Sequence, residues 1–303
     1  MKTSILITAA VSKITMPTPT SPLRFLPGLP LSVYSWAIQQ LFFHATGLAL
    51  EYCDHSGTLR RYRVRPVNEK SYLGLLPRVL FNQCFILLPS MVIAEAIGLC
   101  FTGEISLNVG RFLCSLLVMA VGHDFVQYST HRYLLHQSSV PLMRTLRHSV
   151  HHSTGATRGI SACYMSAPDF FLTIVLPYLL PLAIVGGGGS DILFHTLVAG
   201  LGALGGVYEH SGYDFGTELR QPPPQGHDDK RSLWMVVSSV AAAALDNRAH
   251  SEHHIRANVS FSDGFGSPGI CDWMFGTRWD LVSKRRRDAE VEWQAQQKAG
   301  KST

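Results

Sequence analysis

Apolar residues in this chain run in long stretches separated by polar connections, and they rarely alternate. The stretch Leu31 to Leu50 carries Tyr34 and Trp36 near its start and is long enough to cross a bilayer or lie in its interface, with His44 and two glutamines lowering its apolarity. After a polar loop from Glu51 to Arg78, the segments Val79 to Phe101 and Phe112 to Gly122 are joined by the short connection Thr102 to Arg111 and read as a helical hairpin. Asp169 to Val185 and Ile192 to Tyr208, joined by the glycine-rich Gly186 to Ser190, read as a second. Met235 to Leu245 is apolar but too short to span, so it is expected as a buried or interfacial helix. The pattern predicts an all-α integral membrane protein with two transmembrane helical hairpins, an additional N-terminal span and a polar cap. Residues 1–30, rich in Thr, Ser and Pro, are expected to be poorly ordered; 31–280 form the membrane-embedded domain, and 281–303 a basic tail.

Composition sharpens this picture. The chain has 303 residues, 46% hydrophobic and only 16% charged, with a mean hydropathy of +0.13, which excludes disorder and is too apolar for an ordinary water-soluble domain. The net charge of +5 does not point to nucleic acid, because the basic residues form no aromatic-interleaved patch. They gather at Arg60 to Arg65 and Lys284 to Arg287, beside apolar segments, as expected on the cytosolic side of a membrane. Both hairpins then return the chain to that side, just where histidines appear. The six cysteines are scattered without CxxC spacing, which argues against a disulfide framework and against a thiolate zinc site.

Of the 14 histidines, 12 fall between His123 and His254. Two segments share the pattern HxxHH: His148, His151 and His152 in HSVHH, and His250, His253 and His254 in HSEHH. On a helix, positions i, i+3 and i+4 share one face, so each segment can aim imidazoles at one point. At this histidine frequency one such motif arises by chance about 0.03 times per chain, so two carry a specific signal. His131 and His136 in HRYLLH are spaced i, i+5, about 140° apart on an ideal helix, and can serve one cluster only if the helix ends between them or the metals sit across its face. Asp124, seven residues before His131, is expected to accept the second ring N–H of a ligand, and Tyr128, about one turn before His131, to support the site. With His210 in YEHSGYD, nine imidazoles exceed what a single metal accepts, so two metals are the natural solution. A His-rich dinuclear site with few carboxylates suits iron and dioxygen acting on an unactivated C–H bond. The HExxH helix of a zinc hydrolase is absent.

The motifs DFVQYSTHRYLLH, LRHSVHH, EHSGYDF and AHSEHH, followed by CDWMFGT, resemble the fatty acid hydroxylase or sterol desaturase superfamily, over roughly residues 60–280. EHSGYDF and the RVRP stretch are most similar to the C-4 methylsterol oxidase and cholesterol 25-hydroxylase branch. The resemblance implies a multi-pass enzyme of the endoplasmic reticulum with a cytosolic di-iron centre. Its ligands would be His131, His136, His148, His151, His152, His210, His250, His253 and His254; Asp124 and Tyr128 are expected in supporting catalytic roles from their spacing alone. It also implies dioxygen as co-substrate and electrons from NAD(P)H through a reductase or cytochrome b5, a separate electron-transfer protein because no cytochrome b5-like segment is recognised. Two stretches depart from the family pattern: NVSFSDGFG at Asn258 to Gly266 and the triple-proline insert at Thr217 to Arg231. Both are expected beside the substrate entrance. The rival readings are lyase-type or rearrangement chemistry on the same scaffold, a non-catalytic membrane metal-binding protein, and a membrane zinc hydrolase. A transport pathway would distribute its histidines and acids through the spans, whereas here the clustered ones follow the span ends.

Overall fold

A computed structural model describes residues 29–67, 70–101, 109–137, 145–185, 192–219, 228–262, 264 and 267–282. Most of the predicted N-terminal segment, of the first hairpin connection, of the triple-proline insert and of the basic tail, and all of Gly186 to Ser190, lie outside these residues. The described residues are helical, with one isolated backbone bridge, between Arg63 and Tyr213. The long elements are α1 (Leu31–Ser56), α2 (Tyr72–Ala96), α3 (Val109–Thr130), α5 (Ala167–Ile184) and α6 (Ile192–Glu209), with the short α4 (Ser149–His152) between α3 and α5. Beyond them follow α7 (Gly216–Leu219), α8 (Asp228–Ala244), α9 (Arg248–Arg256) and α10 (Ile270–Met274).

Three helical stretches are long and apolar enough to cross a membrane: Tyr72–Ala96, Phe112–Leu135 and Ala167–Ile184. Large apolar side chains such as Phe85, Ile93, Leu117, Phe125 and Ile184 are exposed along them, and so continuous an apolar surface needs lipid, not water, as its solvent. The most extensive packing pairs α1 with α6 and α3 with α5, so the most extensively packed helices are not the ones expected as hairpin partners. Gly122 permits the α3–α5 approach: a Cβ there would lie 2.8 Å from the Cβ of Pro181.

Wide π-turns interrupt all three spanning stretches, at Gln83–Leu87, His131–Leu135 and Phe171–Val175. Two of them precede Pro89 and Pro177 by two residues. A proline lacks the N–H of a regular helix and collides with the carbonyl four residues back, and a widened turn relieves both faults. The third is followed by no proline and serves the histidines.

Several polar residues within the apolar elements tie helices together. His44, which has no partner pattern in sequence, bonds through Nδ1 to the Tyr72 hydroxyl at 3.1 Å and through Nε2 to Gln83 Oε1 at 3.0 Å, tying α1 to α2. The Glu95 carboxylate at the end of α2 accepts from the Leu31 and Ser32 amides at 3.1 and 2.9 Å, which satisfies two free N–H groups at the start of α1. Near the other end of α1, Arg63 pairs with Asp54 and stacks on Tyr213, whose hydroxyl donates to Asp54 at 2.5 Å. The arginine-rich loop is thereby bound to the segment that carries His210. The apolar positions Met235, Val236, Val237 and Val240 of α8 are exposed, in keeping with an interfacial helix.

Replacing Glu95 with alanine strands both amides and should lower stability by about 1–2 kcal/mol. Thermal unfolding in detergent checks this, with Glu95→Gln expected to lose less.

Candidate metal centre

The nine histidines singled out by spacing converge into two groups: His131, His136, His148, His152 and His253, and His151, His210, His250 and His254, with the candidate ligand atoms of each group within 4.8 Å of one another. Each HxxHH segment divides between them. In α4 the outer pair His148 and His152 joins the first group and His151 the second, whereas in α9 the outer pair His250 and His254 joins the second and His253 the first. The groups lie side by side, with the His152 and His254 ring centroids 4.7 Å apart. His123 and His195 belong to neither group; His195 is buried against Phe101 and Phe194.

The π-turn His131–Leu135 resolves the i, i+5 spacing. Its hydrogen bond runs from the His136 amide to the His131 carbonyl at 3.0 Å, so the wider turn brings residue i+5 back over residue i, and the two imidazole centroids stand 4.8 Å apart. The helix neither ends between them nor straddles the metals.

Acceptors fix the rings from behind. Nδ1–H of His131 donates to the Phe261 carbonyl (2.9 Å), of His210 to Gly206 (2.8 Å), of His253 to Val259 (2.7 Å) and of His148 to Asp169 Oδ1 (2.8 Å). These bonds place the proton on Nδ1 and leave the Nε2 lone pair facing inward. Nε2 atoms then meet at 3.1 Å for His131 with His148 and His148 with His152, 3.2 Å for His151 with His210, and 3.0 Å for His210 with His250. For His131 and His148 both Nδ1 atoms hold the proton, so no hydrogen bond links the facing lone pairs and only a cation reconciles them. Ligand bonds of about 2.0–2.1 Å at right angles would put two nitrogens about 3 Å apart, close to this spacing. The Nε2 atoms of His136, His253 and His254 are buried and have no hydrogen-bond partner among the described residues. The donor set therefore fits metal ions.

Burial also keeps the imidazoles neutral. It pushes His148 down to about 3 and His210 to about 4, and it holds His136, His151, His152, His253 and His254 below the ordinary imidazole range, where neighbouring histidines add like-charge repulsion.

Asp124 does not stand where its spacing placed it. Seven residues separate it from His131 by about 10 Å along the helix axis, too far for contact, and the Phe261 carbonyl takes the expected place behind the ring. Asp124 instead accepts from Ser267 Oγ (2.9 Å) and from the Ile270 and Cys271 amides (2.8 and 2.9 Å), pinning α10 to α3. Asp272 on α10 accepts from the Phe261 and Ser262 amides at 2.9 and 2.7 Å and from Thr277 Oγ1 at 2.6 Å. Asp124 thus acts at two removes, through the loop whose carbonyls hold His131 and His253. Tyr128 is buried, stacked on Phe275 at 5.2 Å, with its hydroxyl toward Arg132 and Thr277. Sequence reasoning missed Asp169, a fully buried carboxylate behind His148 that also accepts from Thr173. The available signal was an acid at the start of an apolar stretch, where a charge is costly without a partner. The role of Asp272, inside the motif CDWMFGT, was missed as well.

A family model described as fatty acid hydroxylase matches residues 116–277, which include all nine histidines. No curated protein and no solved structure matches the chain.

Two outcomes follow from this geometry. Asp169→Asn should preserve the fold while lowering metal affinity about 10–100-fold, measured by chelator competition. In metal-stripped protein the buried imidazoles are neutral when folded and gain protons below about pH 6.5 when unfolded. Its melting temperature should therefore fall as the pH drops from about 6.5 toward 4, and bound metal should oppose the loss.

Proposed function

Because the chain belongs to the fatty acid hydroxylase family, a family of membrane-bound lipid oxidoreductases, we propose that it is a dioxygen-dependent di-iron enzyme. It hydroxylates or desaturates a hydrophobic, lipid-like substrate such as a sterol, a terpenoid or a long acyl chain. The observation that supports this best is the division of nine imidazoles into two adjoining groups with their lone pairs turned inward. All-nitrogen donor sets suit iron better than magnesium or calcium, which take oxygen ligands.

His131, His136, His148, His152 and His253 would hold one iron, and His151, His210, His250 and His254 the other. When bound, such a pair supplies the redox chemistry that lets dioxygen attack an unactivated C–H bond. The chain's own contribution is positioning and exclusion of water. The second group is buried throughout, whereas His136 and His152 of the first are partly accessible, so substrate and dioxygen approach from the first group. The carbonyls of Val259, Phe261 and Gly206 and the carboxylate of Asp169 hold the rings against rotation, which keeps a reacting carbon at a defined distance. Asp124 and Asp272 support that frame, and Tyr128 fills the space behind Phe261. The exposed apolar faces of the spans supply substrate from the bilayer, and a separate carrier, a reductase using NAD(P)H or cytochrome b5, delivers electrons. We place the enzyme in the endoplasmic reticulum with its metal centre on the cytosolic face.

Incubation of the iron-loaded protein with a reductant, candidate lipids and isotopically labelled dioxygen tests the proposal. Hydroxylated product should carry the label, or a desaturated product should form only with oxygen and reductant present. His151→Ala and His253→Ala should each abolish turnover and lower metal content. Product formed without oxygen would overturn the oxidative reading.

A further inference from the structure

The short helix α10 lies outside the three spanning stretches, yet its outer surface is apolar. Trp273 and Met274 are 66% and 63% exposed, and Ile270 and Phe275 are exposed beside them. So many large apolar side chains gathered within six residues mark a contact surface. The attachment of α10 indicates what it contacts. Asp124 accepts from the Ile270 and Cys271 amides of its first turn, and Phe275, just beyond its last residue, stacks on Tyr128 at 5.2 Å. Both anchors belong to α3 and lie inside the stretch Phe112–Leu135.

The outward face of α3 gives the level of those anchors. Leu113, Leu117, Val121 and Phe125, spaced four apart, are all exposed. The same column continues through Ser129, whose hydroxyl donates to the Phe125 carbonyl at 2.7 Å, to the exposed Tyr133, with Arg132 beside it. Apolar side chains thus give way to hydroxyl and guanidinium groups just beyond Phe125, as they do where a helix leaves the hydrocarbon. Asp124 and Tyr128 straddle that change, so α10 is pinned at the level where the span ends. Its backbone suits the location. The free N–H groups of a helix's first turn find no partner in lipid, and here a carboxylate of the neighbouring span accepts from two of them.

We propose that α10 is a further membrane contact, with Trp273, Met274 and Phe275 inserted among the headgroups and upper acyl chains of the leaflet next to the histidine groups. An indole and a phenyl ring at this level suit the interface between hydrocarbon and water. The assignment rests on α3 being a membrane span but not on the identity of the metals. It also bears on the metal centre. Phe275 stacks on Tyr128, Tyr128 meets the Phe261 ring edge-on at 6.0 Å, and Phe261 meets the His136 ring at 5.6 Å. One series of aromatic contacts therefore joins the inserted surface to the first histidine group, and the depth of α10 fixes the height of that group above the acyl chains.

The test uses the full chain in nanodiscs of phosphatidylcholine whose acyl chains carry bromine, a short-range quencher of indole emission, either near the headgroup or near the chain end. Acrylamide serves as the quencher in water. Subtracting the emission of Trp273→Phe from that of the native protein isolates the signal of Trp273. That signal should be quenched by bromine, more strongly from the shallow position, and spared by acrylamide. Because Trp273 is exposed, its variant should keep the native melting temperature and metal content. Phe125→Trp, added to the Trp273→Phe variant, reports on the spanning face of α3, and its added emission should also be quenched by bromine. Bromine quenching at position 125 but not at Trp273 would overturn the proposal and leave the span standing, whether acrylamide reaches Trp273 or another protein surface covers it. Absence of bromine quenching at both positions would overturn the span as well.

Discussion

The structure depends on a repulsion that it holds in place. His131 and His148 each commit their Nδ1 proton to an acceptor behind the ring, and their Nε2 lone pairs face each other across 3.1 Å. Left alone, two neutral imidazoles would turn to share a proton or separate. They cannot do so while Phe261 and Asp169 hold them, and those acceptors are buried in turn. The protein thus pre-forms a cavity for positive charge at the cost of local electrostatic strain, and metal binding would convert that strain into stability. Burial works in the same direction, since an imidazole that resists protonation keeps its lone pair free.

Much of the remaining architecture can be understood as the support for this arrangement. The carboxylates form a ladder: Asp124 fixes α10, Asp272 on α10 fixes the loop at Phe261 and Ser262, and that loop's carbonyls fix His131 and His253. Asn247 serves α9 similarly, donating to the carbonyls of Tyr208 and Tyr213 at 3.2 and 2.9 Å, which joins the second HxxHH helix to the end of α6 and the loop beyond His210. Rings aimed at a metal need second partners, and in this chain two of the four acceptors, Phe261 behind His131 and Asp169 behind His148, come from segments distant in sequence.

That distance explains what could be read in advance. The helical class and three of the five stretches read as spans follow from local apolarity, and the candidate histidines from short-range spacing, both of which one sequence displays. Asp169 and Asp272 lie 21 and 11 residues from the groups they hold, at positions that only the folded chain brings together. The π-turn at His131 was equally hidden, because an ideal helix was the wrong template for an i, i+5 pair. His44 had no partner pattern because its partners, Tyr72 and Gln83, lie on another helix. The Asp124 expectation misjudged the reach of that carboxylate, since helical phase alone ignores rise along the axis.

The alternating division of the two HxxHH helices has a genetic consequence. Insertion or deletion of one residue within α9 would rotate part of the segment by about 100°, turning imidazoles away from both groups together. Neither half of the centre can be edited by a shift of reading register while the other survives. The two histidine groups are therefore a single unit of inheritance, gained or lost as a pair, and length variation in this protein should be confined to the connections between the helices that carry them.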